Sequence, residues 1–348
     1  MKFIYKNIIN LLFKIIYGRI FISKNINKKF KIKKIKINSN NHISLYLIKK
    51  CRIFTDCQTN VAYIHKNQII PNISYQQNGD QIANIKFNST LKNGTPKVKF
   101  FFSGVIVSLL QGSSGSNYYH WLFDIIPRLE ILKKNGYLKK VDFFYLPDLN
   151  KFIIETLKHY GIKKKQLINS KKFKHIYSDE VLVLEHPYFK KGTIASNFSR
   201  IPKWIPLLLK KKFLKHKRKF NCSNKVFIDR SDSKFIHFSI KNYKETKIFF
   251  ENKGFKFYEL SKLNLFKTIY LFNNAKIIAG PHGAGFANLV FCKKNTKVYE
   301  ILPINESKRN VYSKISKLLK LKHHKLFTRN DKDFQIYLDF KLINKLFK

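Results

Sequence analysis

From residue 225 onward the apolar and polar positions fall into a repeating order. Short apolar runs alternate with stretches of helical period. Residues 225–229 read as a strand, 242–252 as a helix with Gly254 placed to end it, and 255–259 as a strand. Residues 263–273 read as helical, 276–279 as extended, 284–291 as helical and 297–302 as extended, before a last helix at 311–321. Strands and helices alternating at this spacing predict βαβ units around a parallel sheet. Such sheets bind ligands beyond the carboxyl ends of their strands.

The first half repeats this order less regularly. Residues 30–37 nearly alternate apolar side chains with lysine, which predicts a half-buried strand, and residues 38–100 predict short strands and turns. An apolar run at 105–110, containing only Ser108 as a polar residue, predicts a buried strand. It gives way to a small polar loop at 111–116 and a helix beginning near Asn117. A second buried strand is expected at 141–146 and a helix at 151–160, stopped by Gly161. Residues 187–224 read as a connector, in which Pro187, Pro202 and Pro206 interrupt helical runs and 210–219 is strongly basic. The expected organisation is α/β. It comprises an N-terminal basic and apolar segment at 1–30, a first domain at 31–205 and a second at 206–348.

Composition changes this picture less than its extremes suggest. Lys and Arg number 69 against 20 Asp and Glu, a formal charge of +49, which invites nucleic acid or an anionic membrane as partner. Lys, Asn, Ile and Phe are abundant together, however, and their codons are rich in A and T, so a biased genome supplies lysine without selection for binding. The lysines are also spread along the whole chain rather than gathered in one stripe. A specific nucleic-acid partner is therefore not expected. An apolar fraction of 44% is enough to fill sizeable cores. Cys51, Cys57, Cys222 and Cys292 match no zinc spacing and form no disulfide framework, so reduced thiols in the cytoplasm are expected.

Residues 1–22 mix apolar residues with Lys2, Lys6, Lys14 and Arg19. Their apolar runs are too short to span a bilayer, and no small-residue cleavage site follows. Two readings remain: a basic amphipathic segment lying on an anionic membrane, or a first helix packed on the body.

Three groups of residues carry candidate chemistry. Gly280-Pro281-His282-Gly283-Ala284-Gly285 joins a predicted strand to a predicted helix. Glycines there let backbone approach a ligand, and the first helical turn favours an anion such as a diphosphate. A tight structural turn explains the same residues. Glu300, near the carboxyl end of the next strand, could accept ribose hydroxyls or simply face water. Arg230 follows the strand at 225–229 and could pair with phosphate, with Lys234 close behind it in the chain. Finally, Asn117-Tyr118-Tyr119-His120-Trp121-Leu122-Phe123-Asp124 places His120 and Asp124 one helical turn apart. Asp124 could orient the imidazole and make His120 a general base, or the pair could be structural. Asn117 is a good N-cap, Pro127 bends or restarts the helix, and Trp121, Phe123 and Ile125 are expected in the core.

In this order these motifs resemble glycosyltransferase family 61, over about residues 112–303. The resemblance is strongest in Asn117-Tyr-Tyr-His-Trp-Leu-Phe-Asp-Ile-Ile-Pro-Arg and Gly280-Pro-His-Gly-Ala-Gly-Phe-Ala-Asn-Leu-Val-Phe. Phe227-Ile-Asp-Arg230 and Tyr299-Glu-Ile-Leu-Pro303 add to it. It implies a GT-B fold, two Rossmann-like domains facing each other across a cleft that holds the active site. It implies transfer from a nucleotide-sugar donor, expected to be UDP-linked, with inversion, to a glycan or lipid-linked glycan of a capsular or lipopolysaccharide-type surface polymer. Donor binding carries over to Arg230, His282, Gly283, Ala284, Gly285 and Glu300, and active-site roles to His120 and Asp124. Family members often carry a second arginine shortly after the position of Arg230, where this chain has Lys234. No metal and no cofactor are expected, and Asp331-Lys332-Asp333, beyond the nucleotide fold, reads as surface. The enzyme is expected in the cytoplasm, peripheral to the inner membrane. The rival readings are a non-catalytic nucleotide-sugar or phosphate-binding module and, with only charge behind it, a nucleic-acid-binding protein.

Overall fold

The computed structural model describes every residue except 1, 25, 39–40, 112–116, 190–191, 194–195, 198–199, 232, 234–237, 332 and 347–348. It divides into two compact units, Met1–Arg200 and Ile201–Lys348. Both are built on mixed sheets that contain a run of parallel strands, an α/β fold.

In the second unit five strands run parallel in the order Lys256–Glu259, Lys225–Asp229, Ile277–Pro281, Lys297–Pro303 and Lys322–Asn330. The short strand Ile336–Tyr337 adds an antiparallel edge. The central strands are buried almost throughout, as parallel strands covered on both faces must be, and this is why they read as apolar runs. Lys322–Asn330 escaped the sequence reading because only Leu326 and Phe327 among its nine residues are apolar. In chain order the parallel strands stand 2-1-3-4-5. The direction of winding therefore reverses between Lys225–Asp229 and Ile277–Pro281, where a crevice opens at the strand ends. The helix Trp204–Phe213 contains Pro206 rather than being interrupted by it. Pro206 lies in the first turn, where a backbone N–H has no helical partner to lose.

The first unit is parallel in only part of its sheet. Four strands run parallel in the order Leu167–Asn169, Phe143–Leu146, Phe100–Ser108 and His175–Leu184. Beyond His175–Leu184 the sheet turns antiparallel, through Asn41–Thr55 with Lys31–Asn38 and Asn60–His65 beside it. Residues 38–100 thus hold a strand of 15 residues where only short ones were expected. Exposed Lys49 and Lys50 interrupt its burial pattern and hide its continuity. In chain order the parallel strands stand 3-2-1-4, so winding reverses between Phe100–Ser108 and His175–Leu184. The core below is filled by Tyr46, Ile48, Ile53, Val61, Tyr63, Ile106, Ile176 and Val181. The helices Ile126–Lys134 and Lys151–His159 connect the parallel strands, and Lys2–Tyr17 forms a helix at the start of the chain. All four cysteines are free.

Candidate functional site

In the first unit the chain leaves Phe100–Ser108 through Leu109, Leu110 and Gln111 and enters a helical run at Tyr118. Asn117 caps that run, its side-chain oxygen accepting from the Tyr119 N–H at 2.9 Å. Tyr118–His120 makes one α turn and Trp121–Ile125 a π turn, after which Ile126–Lys134 continues as α-helix. Pro127 follows the π turn, where the hydrogen-bond register has already slipped by one residue, so the run restarts instead of ending. Trp121 Nε1 donates to Thr156 Oγ1 at 2.8 Å, and Trp121, Phe123 and Ile125 are buried as expected.

His120 and Asp124 meet across that turn, Nδ1 to Oδ2 at 2.6 Å. The Asp124 side chain has no exposure to solvent and is surrounded by further donors. Gln111 Nε2 donates to Oδ2 at 2.9 Å, and the Tyr188 hydroxyl donates to Oδ1. His186 Nε2 approaches Oδ2 to 3.4 Å. The orientation of Gln111 is itself fixed. Its Oε1 accepts from Arg128 Nη2 at 3.1 Å, and a guanidinium can only donate, so the amide nitrogen must turn to Asp124. Arg128, fully enclosed, also donates from Nε to the Asp124 carbonyl and from Nη1 to the Leu110 carbonyl.

This surround decides protonation. Burial alone would raise the Asp124 carboxyl, but the imidazoles of His186 and His120 outweigh it and hold the group well below its ordinary range. Burial pushes His186 down to about 4, against the pull of Asp124, so its ring is neutral near pH 7. His186 Nδ1 accepts from the Phe189 N–H at 2.9 Å, which leaves its single proton on Nε2, facing Asp124. Burial, then Asp124, push the Tyr188 phenol far above its ordinary value, so it remains a donor. His120 therefore lies beside an ionised carboxylate through Nδ1, and a neutral ring bonded in this way carries its basic lone pair on Nε2. Gln111, His186 and Tyr188 follow the carboxyl ends of Phe100–Ser108 and His175–Leu184, the two strands between which the winding reverses.

The second unit gathers Asp229, Arg230 and His282 at the equivalent place. Asp229 ends its strand by accepting from the Ser231 N–H at 2.9 Å and from the Tyr243 hydroxyl at 2.5 Å. Arg230 turns out of the strand, and its Nη1 donates to the His282 carbonyl while Nη2 reaches Ser233 Oγ at 3.3 Å. Two glycines make close packing feasible here, one against Ile228 and one against Arg230. Gly280, at φ +155°, would bring a Cβ to 2.9 Å from the Ile228 carbonyl oxygen, and a Cβ on Gly283 would overlap the Arg230 guanidinium. Ala284–Phe291 then follows as a 3₁₀ helix. The N–H groups of Ala284 and Gly285, in its first turn, have no acceptor within the helix.

His282 and Glu300 meet across adjacent strands, where Gly280 stands opposite Glu300. His282 Nδ1 bonds to Glu300 Oε1, and His323 Nε2 bonds to Oε2 at 2.9 Å, with Ser316 Oγ on the other nitrogen of His323 at 2.8 Å. Glu300 is 1% exposed. Burial would raise its carboxyl, but the hydrogen bonds from both histidines bring it down to about 2. Its two oxygens thus face histidines within the unit. The rings of Phe238 and Tyr312 enclose His282 at 5.5 and 5.1 Å.

The residues expected from sequence thus fall into two sets, His120 with Asp124 and Arg230 with His282 to Gly285 and Glu300. Lys234 lies outside the described residues, as do 112–116 of the polar loop and Lys332. Asp331 pairs with Lys241 at 2.5 Å. Gln111, His186, Tyr188 and His323 were missed. The signal for His186 and Tyr188 was the apolar run 181–184, a strand whose carboxyl end they follow. Among the described residues no group of three His, Cys, Asp or Glu is arranged to hold a metal ion. In comparison with known families, the model described as Glycosyltransferase 61 matches residues 118–299, more than half of the chain. No curated protein matches.

Proposed function

Because the chain belongs to glycosyltransferase family 61 and is a glycosyltransferase, we propose that it moves a sugar from a nucleotide-linked donor, UDP-linked by expectation, to a glycan or lipid-linked glycan. In this reading the transfer inverts the anomeric carbon and needs no metal, and the product belongs to a surface polysaccharide of capsular or lipopolysaccharide type. The two units serve as the acceptor-side and donor-side halves of a GT-B enzyme.

The observation that carries the reading is the imidazole of His120 held through Nδ1 by an enclosed, ionised Asp124. An inverting transfer must take one proton from the acceptor hydroxyl as its oxygen bonds to the anomeric carbon and the nucleoside diphosphate departs. His120 Nε2 takes that proton, and Asp124 stabilises the imidazolium that results. Gln111, Tyr188 and His186 keep Asp124 in place and ionised. On the donor side, Arg230 and the N–H groups of Ala284 and Gly285 receive the negative charge of the leaving diphosphate. His282 faces the donor, and Glu300 acts on it through His282, with His323 steadying the carboxylate. Lys234 remains a candidate partner of Arg230.

Nucleotide release from a panel of sugar nucleotides, with glycan acceptors present, tests this in the parent protein and His120→Ala. The variant is expected to bind the preferred donor while its turnover falls about 10²–10⁴-fold. Equal turnover by parent and variant removes His120 as the base, and no donor bound or turned over by the parent removes the reaction. EDTA is expected to leave the rate unchanged; loss of activity restored by manganese would remove the metal-free part.

A further inference from the structure

The helix Lys2–Tyr17 is attached to its unit by one side only. Asn10 is buried, Phe13 stacks on Tyr17, and Tyr17 sets its ring edge against His175 at 5.0 Å. Arg52 donates to the Tyr17 carbonyl at 3.3 Å, and the Lys99 N–H donates to the Tyr17 hydroxyl at 3.1 Å. The opposite side is where a water-facing helix would carry its polar residues. It carries Ile4, Tyr5, Ile8, Leu11, Leu12, Ile15 and Ile16 instead, all exposed, Ile4 to 65% and Ile15 to 74%. At 100° per residue these side chains fill an arc of about 140° with no polar residue inside it.

The unit adds exposed apolar residues on the side where the helix is attached. Lys99 Nζ lies over the rings of both Tyr17 and Phe101, at 5.1 and 4.9 Å, and Phe101 and Val98 are exposed. The sequence that carries the helix has charge of one sign: residues 1–55 contain 14 Lys and Arg and no Asp or Glu. Lys6 and Arg19 are exposed at either end of the helix.

We propose that this face lies in the interface of an anionic phospholipid bilayer, with the helix in the membrane plane. Two observations choose that occupant. A second copy of this chain would set a basic surface against an equally basic one, which like-charge repulsion opposes. Nucleic acid would satisfy the lysines but offers nothing to an aliphatic arc, whereas an anionic bilayer offers headgroup charge outside and hydrocarbon beneath. The helix, at 16 residues, is about 24 Å long, and among the described residues no helix is long and apolar enough to cross a membrane. Docking is independent of the transfer reaction and holds whichever sugar is moved.

Flotation of the full chain with vesicles tests it. At low salt the chain is expected to float with vesicles of equal parts phosphatidylglycerol and phosphatidylcholine and to stay behind with phosphatidylcholine alone. The combined substitution Ile8→Gln, Leu11→Gln and Ile15→Gln leaves net charge unchanged and is expected to lower the bound fraction at least about tenfold. Failure of the parent to float overturns the proposal. So does a Gln variant that floats as well as the parent, since charge alone would then account for binding. A Gln variant that instead turns a dimer into a monomer would make the face a self-association surface. Should the Gln variant not fold, Leu11→Trp decides: its emission shifts to the blue on anionic vesicles if the proposal holds and stays fixed if it does not.

Discussion

A methyl group added at Gly283 and one added at Gly280 meet very different obstacles. At Gly283 the obstacle is the far end of Arg230, which can swing away. At Gly280 it is the Ile228 backbone, and φ there is +155°. Gly283→Ala is therefore expected to leave stability nearly unchanged while weakening donor binding about tenfold, by displacing Arg230. Gly280→Ala should cost about 1–3 kcal/mol of stability. Thermal melts and donor titrations of the two variants check this, and a reversed pattern would mean that Arg230 is not held by the glycine turn. Buried histidines supply a second test. Burial lowers both His175 and His186 to about 4 from an ordinary 6.5. Below pH 6.5 the unfolded chain takes up protons there that the folded chain refuses until about pH 4, so stability rises with pH across that window and is complete above it. Urea unfolding at pH 7 and pH 5 should differ by roughly 2 kcal/mol per histidine, with a smaller difference in His175→Gln. Glu300, lowered to about 2, adds stability that is present above its ordinary 4.5 and fades as pH falls toward 2. A urea midpoint that is flat from pH 7 to 5 would contradict the assignment of neutral buried rings.

At the scale of elements, the helical run after Asn117 sets the position of His120 through its first turn. Asn117→Ala removes the cap on the Tyr119 N–H and should cost about 1 kcal/mol of stability. Fraying of that turn moves His120 relative to Asp124, so kcat is expected to fall more than KM rises. A variant destabilised to that extent with normal kcat would show that the buried carboxylate, rather than the cap, positions the imidazole. The elements also divide by how well local pattern reveals them. Lys225–Asp229, Ile277–Pro281 and Lys297–Pro303 were legible because burial on both faces demands continuous apolar residues. His175–Leu184 was not: its Asp179 and Glu180 fall at a register shift against Phe100–Ser108, which breaks the apolar run. Lys322–Asn330 was hidden by its polarity.

Across the whole molecule the two units share one device, a buried carboxylate between two imidazoles: Asp124 with His120 and His186, and Glu300 with His282 and His323. The first stands where the winding of its own sheet reverses, the position favoured for ligands in α/β folds, and the second lies one strand away from its reversal, on Lys297–Pro303 beside Ile277–Pro281. In the proposed reaction the two sites divide proton removal from donor binding. Arg230→Ala is accordingly expected to abolish measurable donor binding in calorimetry, whereas His120→Ala retains it. Normal donor affinity in Arg230→Ala would move the diphosphate away from the Gly280–Gly285 turn.

The amino-acid sequence by itself determined the parts of the sites that lie within a few residues of one another. Helical spacing brings His120 to Asp124, and a strand-to-helix turn brings Gly280 to Gly285, whatever the rest of the chain does. It also set the excess of basic charge and the recurrence of strand and helix. Tertiary structure decided which distant residues complete each carboxylate. Tyr188 reaches Asp124 across 64 positions and His323 reaches Glu300 across 23. It also decided which side of the Lys2–Tyr17 helix faces outward. These outcomes depend on strand order and on which surfaces find a partner, and both are fixed by long-range pairing that local periodicity does not encode.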